Sequence, residues 1–272
     1  MKSANTSYKK SSFGPAFFFL SASRREALAA YYEFCRRADD IADEPTVKNP
    51  LEELAFWQEE VGRIFNHTPQ TALGKQLTNV VEQFGLPPSR FLLLLEGMKA
   101  DVTHKTYATL EELEWYLYRV AVVVGLATLD ILGVKGPAAE KLARELGYAV
   151  QLTNIVRDVP DDAKLGRVYL PQDLLTAHGL PQEDLLHGRH PEKLATLLRA
   201  LADRAQTYYD AAFDTMRTLP RAAMFPCRMM GCVYAKNLAK IRKTGFLFRT
   251  PVKLTKTEKG IGVLYAFFKT IF

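Results

Sequence analysis

Apolar residues recur along most of the chain at spacings of three and four, which is the period of an amphipathic helix. This pattern predicts a first helix that begins at Ser23, which forms a capping box with Glu26, and stops at Pro45. Further helices are predicted over 51–65, 70–84, 88–104, 109–132, 136–159, 191–217, 221–243 and 256–270. The alternation typical of strands is almost missing, so the sequence predicts an all-α protein.

No repeat of fixed period and no long low-complexity linker divides the 272 residues. A chain of this length can form one large core or at most two smaller ones. We therefore predict a single domain over residues 1–272, built from many helices around one core. Within it, residues 256–272 stand out as a candidate membrane-surface tail.

Charge and cysteine content narrow the environment and the partners. A formal net charge of +6 allows anionic partners, but the basic residues lack interleaved aromatic residues, which argues against nucleic-acid binding. The three cysteines form no CxxC pair, so we expect neither a zinc site nor a disulfide framework, and a reducing cytoplasm fits. No run of about twenty apolar residues predicts a helix that spans a bilayer.

Two acidic pairs have the spacing that places both carboxylates on one face of a helix. Residues four apart on an α-helix are offset by about 40° and rise by about 6 Å, so their side chains lie one above the other. Asp39 and Asp43 have this spacing. Asp158 and Asp162 also have it, provided that the helix continues through Pro160, which lacks a backbone donor.

A lone acidic pair is most often part of a solvated helix face. Here each pair has an arginine close by, Arg36 or Arg157, and Gln151 and Asn154 extend the second row along an otherwise apolar helix. The first row lies at a helix C-terminus, where the helix dipole disfavours negative charge and a compensating cation is needed. Converging carboxylates suit Mg²⁺, which binds through few protein ligands together with substrate phosphates. The two rows therefore predict a magnesium-bridged diphosphate site with apolar remaining walls.

Several separated motifs together resemble the squalene and phytoene synthase family of head-to-head prenyl synthases. They are SSF at 11–13, YYEFCRRADDIAD at 31–43, GMKAD at 97–101, YLYRVAVVVG at 116–125 and QLTNIVRDVPDDAKLGRVYLP at 151–171. The resemblance spans residues 9 to about 245. It implies an isoprenoid-synthase-type helical bundle around a central apolar cavity, with an aspartate-rich motif on each of two opposite walls.

The resemblance also implies roles for individual residues. Those that would bind Mg²⁺, or Mn²⁺ in its place, are Asp39, Asp43, Asp158 and Asp162, with Asp40 assisting. Those that would contact diphosphate or metal are Ser12, Arg36, Asn154, Arg157, Arg167 and Tyr169. Those that would line the prenyl channel are Phe13, Phe17, Tyr116, Val120, Val124, Gly125 and Gln151, with Tyr234 near it.

Local alternatives stay open for several of these residues. From spacing alone, ordinary core packing is favoured for Phe13, Phe17, Val120 and Val124. Arg167 could be a surface loop residue, and Tyr169 could simply pack beneath the YLP segment.

Three reaction outcomes compete within the family. The substrates are prenyl diphosphates, and the motifs are most similar to those of bacterial presqualene diphosphate synthases in hopanoid biosynthesis, which condense two farnesyl diphosphates. Phytoene or dehydrosqualene synthesis, in the carotenoid pathway, is the rival. Reduction to squalene with NADPH is disfavoured because no dinucleotide-binding fingerprint follows a strand, and GIG at 260–262 is too weak a signal.

The C-terminal region combines many Lys and Arg residues with a terminal apolar run. Such a segment suits an interfacial position on an anionic membrane, which would make the protein peripheral on the inner face of the membrane. A final packing helix is the equal alternative. A non-catalytic helical module that binds prenyl diphosphates or membranes is the competing functional class. The sequence makes no prediction of oligomeric state.

Overall fold

The computed structural model describes residues 20–271, except the side chains of 264, 265 and 267–271. In chain order the helices are α1 (Ala22–Asp43), α2 (Pro50–Phe65), α3 (Ala72–Phe84), α4 (Ser89–Val102), α5 (Leu110–Leu117), a π-helical segment (Tyr118–Val122), α6 (Val123–Leu132), α7 (Pro137–Lys164), α8 (Gln172–Ala177), α9 (Gln182–Leu186), α10 (Pro191–Arg217), α11 (Phe225–Lys243) and α12 (Lys256–Ile271). The described residues contain no strand, and the predicted all-α class is confirmed.

The predicted helices are present, with differences that have local causes. The N-cap of α1 is Ser21 and not Ser23, because the Ser21 hydroxyl accepts the hydrogen bond from the Arg24 amide. Residues 221–224 form a turn, so α11 begins at Phe225. The short helices α8 and α9 were not predicted, since each is shorter than two helical turns and carries too little periodicity.

Pro160 does not end α7. The helix continues to Lys164, although Pro160 cannot donate a hydrogen bond to the carbonyl of Val156. Asp158 and Asp162 therefore lie on one continuous helix, as their four-residue spacing requires.

A π-helical segment interrupts the predicted helix over 109–132. It lies between Tyr116 and Val124. On an α-helix, residues four apart are rotated by about 40° relative to each other, and the wider turn of a π-helix reduces this rotation. Tyr116, Val120 and Val124 consequently line the same cavity.

One hydrophobic core cluster extends through the described helices. The long helix α7 packs most extensively against α10, and also against the π segment, α6 and α11. The first helix α1 packs against α3, α4 and α6. Helix α12 packs along α11, as the packing-helix alternative predicts, while its membrane contact stays a prediction.

One stretch of the described chain has the length and composition of a membrane span, contrary to the expectation from the sequence. It is the 23-residue stretch Leu110–Leu132, and half of its most apolar window is buried inside the protein. Length and composition alone are weak evidence, because a core helix meets the same criteria. The burial of Leu113, Leu117 and Val123 identifies this stretch as part of the core.

The contact between α7 and the π segment depends on Gly147. A Cβ atom at this position would lie 3.0 Å from three atoms of Val122, including its backbone N and Cα. We expect Gly147→Ala to lower the free energy of unfolding by about 1–3 kcal/mol through overpacking. The matched control is Gly62→Ala on α2, where a Cβ meets nothing within 4 Å. Its higher helix propensity alone should raise the free energy of unfolding by about 1 kcal/mol. Urea denaturation of both variants tests this, and an equal effect of the two substitutions would contradict it.

Candidate active site

Most of the polar residues singled out by sequence line one cavity between α1, α4, α5 and α7. We call it the acidic cavity. Its walls include Arg36, Asp39, Asp43, Asp101, Tyr116, Val120, Val124, Gln151, Asn154, Arg157, Asp158, Asp162, Arg167 and Tyr169. The two aspartate rows thus face one space, although α1 and α7 are far apart in the chain.

The first row is compensated by two arginines. Arg36 forms ion pairs with Asp40 at 2.7 Å and with Asp39 at 3.6 Å. Arg167, in the loop after α7, donates to the Asp43 carboxylate and, at 2.8 Å, to the carbonyl of Ala42. Arg167 is therefore the cation that the acidic C-terminus of α1 requires, and its surface-loop alternative is wrong because it is only 9% exposed.

The second row carries its own arginine. The Arg157 guanidinium donates through Nε and Nη2 to the two oxygens of Asp158, with Nε 2.8 Å from Oδ1. One turn earlier, Asn154 donates to Gln151 at 3.1 Å, while the Oδ1 atom of Asn154 is buried without a hydrogen-bond partner. An orphaned carbonyl oxygen beside a carboxylate row is a potential cation ligand.

Burial and neighbouring carboxylates raise the pKa values of Asp39 and Asp162. Burial, and next the charge of Asp158, raise the pKa of Asp162 to about 8, and Asp43 on the opposite wall contributes. Burial, and next the charge of Asp43, raise the pKa of Asp39 to about 6. About half of the Asp39 side chain is reached by solvent, but it lies in a concave wall with protein on most sides. The cavity therefore carries excess negative charge that a cation would neutralise.

Asp101, on α4, also lines the acidic cavity and was not among the predicted site residues. Its side chain accepts hydrogen bonds from the Tyr169 hydroxyl at 2.6 Å and from the Tyr116 hydroxyl at 3.1 Å. Burial raises the pKa of Asp101 to about 6 despite these bonds, which act in the opposite direction. The available signal was the GMKAD motif at 97–101, which ends on this carboxylate.

The tyrosines around Asp101 stack on one another. The Tyr116 and Tyr169 rings lie 5.1 Å apart at an interplanar angle of 28°, and Tyr107 lies against both. Tyr169 thus does more than pack beneath YLP, because its hydroxyl is held at the cavity wall by Asp101.

A second, apolar cavity continues from the acidic one. The two share five lining residues, which are Tyr32, Cys35, Val120, Val124 and Gln151. Beyond this junction the apolar cavity is lined by Leu28, Gly125, Leu129, Leu146, Cys227 and Met230, among others. A molecule with a charged head and a long apolar tail fits the two together, and the predicted central apolar cavity is present.

Several of the predicted site residues are not among the described residues that line the acidic cavity. Ser12, Phe13 and Phe17 fall outside the described residues. Tyr234 lines neither cavity and instead interacts with Arg157 from behind, while Asp40 is turned towards Arg36. Gly125 lines the apolar cavity only, where the α7 backbone at Ala143 approaches within 3.7 Å of a Cβ built on it.

The donor set fits a divalent cation that takes only a few ligands from the protein and the others from water and phosphate. Within residues 20–271 no three His, Cys, Asp or Glu side chains already form a metal cage, because the acidic rows stand on different helices. Their oxygen-only chemistry, the raised pKa values of Asp39 and Asp162 and the unpartnered Asn154 oxygen fit Mg²⁺ bound with water and phosphate.

Comparison with known proteins gives one consistent family. The squalene/phytoene synthase family model matches residues 7–258. Presqualene diphosphate synthase of Rhodopseudomonas palustris is 34% identical over 252 residues, which cover 92% of this chain and 90% of that protein. Chloroplastic phytoene synthase 1 of Solanum lycopersicum is 32% identical over 268 residues, which cover 95% of this chain but only 65% of the longer tomato protein.

Solved structures show the same fold. A dehydrosqualene synthase crystallised with a ligand superposes with a TM-score of 0.84 at 27% identity, covering 98% of this chain and 94% of that one. A squalene synthase from Alicyclobacillus acidocaldarius gives a TM-score of 0.82 at 26% identity, covering 91% and 92% of the two chains.

The raised pKa of Asp162 makes the stability of the metal-free protein depend on pH. The folded-state pKa of about 8 exceeds the unfolded value of about 3.9, so this contribution is complete below about pH 4 and is lost as the pH rises through 8. In EDTA, Asp162→Asn, which stays neutral, should melt above the wild type by a margin that widens by at least about 3 °C between pH 5 and pH 9.

The control for this prediction is Asp161→Asn. Asp161 is the preceding residue, points to Lys164 at 2.8 Å and does not line the acidic cavity. A stability difference of Asp162→Asn that does not change between pH 5 and pH 9 would contradict the predicted titration.

Proposed function

The chain belongs to the squalene/phytoene synthase family, and from this premise we propose that it condenses two farnesyl diphosphates head to head. The products are presqualene diphosphate, one inorganic diphosphate and one proton. The observation that carries the proposal is the continuity of the acidic and apolar cavities through Val120, Val124 and Gln151. The presqualene diphosphate synthase of R. palustris supports the choice of product, since its similarity extends over 90% of its length.

The diphosphate end of the substrate belongs in the acidic cavity. Bound Mg²⁺, held by Asp39, Asp43, Asp158, Asp162 and Asn154, would neutralise the negative charge of the diphosphate as the C–O bond breaks. Arg157 and Arg167 lie in the same walls and can donate to phosphate oxygens. Their aspartate partners hold both guanidinium groups in place before substrate arrives.

The prenyl chains belong in the apolar cavity. Loss of diphosphate leaves an allylic carbocation, which persists only where water is excluded. The walls at Val120, Val124 and Leu146 carry no nucleophile. Burial raises the pKa values of the Cys35 and Cys227 thiols, which also line this cavity, to about 12, so both stay protonated. The apolar lining thus protects the cation until the second prenyl chain attacks.

Asp101 and Tyr169 can accept the proton that the condensation releases. The Tyr169 hydroxyl donates to Asp101 at 2.6 Å and lies in the acidic cavity wall. Because the pKa of Asp101 is about 6, its carboxylate is mostly ionised at neutral pH and can hold a proton passed through Tyr169.

Phytoene synthesis from geranylgeranyl diphosphate is the second candidate. The 32% identity with tomato phytoene synthase 1 is close to the 34% found for the presqualene enzyme. The same site would act on a longer chain, so the difference lies in how far the apolar cavity extends beyond Leu146 and Met230. Neither reaction needs NADPH, and we propose that the protein does not use it.

Turnover tests the proposal. With Mg²⁺ and farnesyl diphosphate, the purified protein should release pyrophosphate and form a thirty-carbon diphosphate, and EDTA should abolish both. Asp39→Ala and Asp158→Ala should each lower kcat at least about a thousandfold. Asp39→Ala should lose little stability because it removes repulsion with Asp43, whereas Asp158→Ala should lose more because Arg157 is left without its carboxylate partner. Asp161→Ala, on the same helix but outside the cavity, is the matched control.

Mass spectrometry of the products distinguishes the alternatives. Product formed only from geranylgeranyl diphosphate would replace the presqualene proposal by phytoene synthesis. Bound prenyl diphosphate without pyrophosphate release from any substrate would identify a non-catalytic binding module and contradict the enzyme proposal.

We further propose that the protein is cytoplasmic and contacts the inner face of the membrane through its C-terminal region. Leu247 and Ile261 are 55% and 51% exposed, and Lys253 and Lys256 lie between them in the chain, also exposed. Such apolar side chains among lysines suit the headgroup region of an anionic bilayer.

Vesicle flotation tests the membrane contact. Replacing Leu247 and Ile261 together by Ser should lower binding to phosphatidylglycerol-containing vesicles by about tenfold, since two apolar side chains no longer enter the bilayer. Leu51→Ser, which removes a 46% exposed leucine from α2, is the control and should bind as the wild type does. Equal binding of all three proteins would rule out this contact.

A further inference from the structure

Five charged residues are buried in the part of the chain that the structure describes, and four of them are compensated. Glu60 accepts from Arg63 and from the amides of Gln70 and Thr71; Asp101 accepts from two tyrosines; Glu145 accepts from Thr215; Arg167 donates to Asp43. The fifth is Arg228 on α11, which is 8% exposed. No hydrogen bond or ion pair joins its guanidinium to any described residue, and its Nε is fully buried without a partner.

The surroundings of Arg228 add positive charge. Burial lowers the pKa of Arg228 against a smaller opposing effect of Cys232, and the charges of Arg217 and Arg221 act in the same direction as burial. Arg217 and Arg221 are both exposed to solvent, and their charges act on the buried guanidinium of Arg228. The carboxylate of Asp214 pairs at 3.0 Å with Arg217 and not with Arg228.

A buried, unpaired guanidinium beside two further arginines is unfavourable unless a negative charge joins them. Arginine donors match the oxygens of phosphate in geometry and charge. We propose that Arg217, Arg221 and Arg228 form a binding site for a phosphate group, which is either free inorganic phosphate or the phosphomonoester headgroup of a lipid.

This site is separate from the acidic cavity. Arg228 lines neither cavity, although its neighbour Cys227 lines the apolar one. The acidic cavity carries excess carboxylate, so without a metal ion it repels phosphate, whereas the arginine site needs no metal. The part of the phosphate effect in EDTA that depends on Arg221 and Arg228 therefore reports on the arginine site, and its outcome is independent of the proposed reaction.

The first measurement compares the melting temperature in EDTA with inorganic phosphate and in EDTA with sodium chloride at equal ionic strength. The wild type should melt about 5 °C higher at about a hundredfold excess of phosphate over its dissociation constant. Arg228→Met fills the same buried space without charge; this variant should melt above the wild type without phosphate and lose the phosphate-dependent shift.

Arg221→Gln keeps the test independent of any refolding around position 228, because residue 221 is exposed. It should weaken phosphate binding by about tenfold, as expected for the loss of one charge-assisted contact. Arg249→Gln, which removes another exposed arginine, is the control and should retain the wild-type shift. Absence of a phosphate-dependent shift in the wild type, or an equal shift in Arg228→Met, would overturn the proposal.

Vesicles of equal negative charge then identify the source of the phosphate. If the wild type binds phosphatidic acid vesicles more tightly than phosphatidylglycerol vesicles in flotation, and Arg221→Gln and Arg228→Met lose this preference, the site is assigned to a lipid phosphomonoester. Equal flotation on both lipids, with the phosphate-dependent melting shift retained, would assign it to free inorganic phosphate.

Discussion

Repulsion among carboxylates across a shared cavity is the constraint on which the rest of this structure depends. Asp43 and Asp162 project from different helices, yet the charge of Asp43 adds to the effects of burial and of Asp158, which raise the pKa of Asp162. The protein offsets part of this repulsion with Arg157 and Arg167, which are held by direct hydrogen bonds to the two rows. The remaining negative charge is what makes the cavity a site for divalent cations and, through them, for diphosphate.

The scaffold holds this unfavourable arrangement because both helices are fixed by apolar packing on their other faces. Helix α7 buries Leu152, Val156 and Val159 while its polar row faces the cavity. Its extensive contact with α10 explains how it tolerates Pro160 and the one backbone hydrogen bond that this residue removes. The apolar cavity begins where the polar row ends, at Gln151, so one helix positions both the charged and the apolar part of the site.

The sequence could predict what a single helix determines. The rows at Asp39 and Asp158 follow from four-residue spacing, and the need for a cation near Asp43 follows from the helix dipole. It could not show that Arg167, 124 positions away, is that cation, because the contact depends on how the loop after α7 folds back. Asp101 was missed for the same reason, since its two tyrosine partners come from other elements, and the π segment carries no distinct signal in hydrophobic periodicity.

The central claim is that the two aspartate rows hold a diphosphate through bound cations while the prenyl chain lies in the adjoining apolar cavity. A crystal structure with Mn²⁺ and the unreactive analogue farnesyl thiodiphosphate tests it most directly, because anomalous scattering locates the metal. We predict Mn²⁺ between the rows at Asp43 and Asp162, with the thiodiphosphate on it and the farnesyl chain passing Val124 towards Leu146. Metal bound away from either row, or a farnesyl chain outside the apolar cavity, would contradict the account.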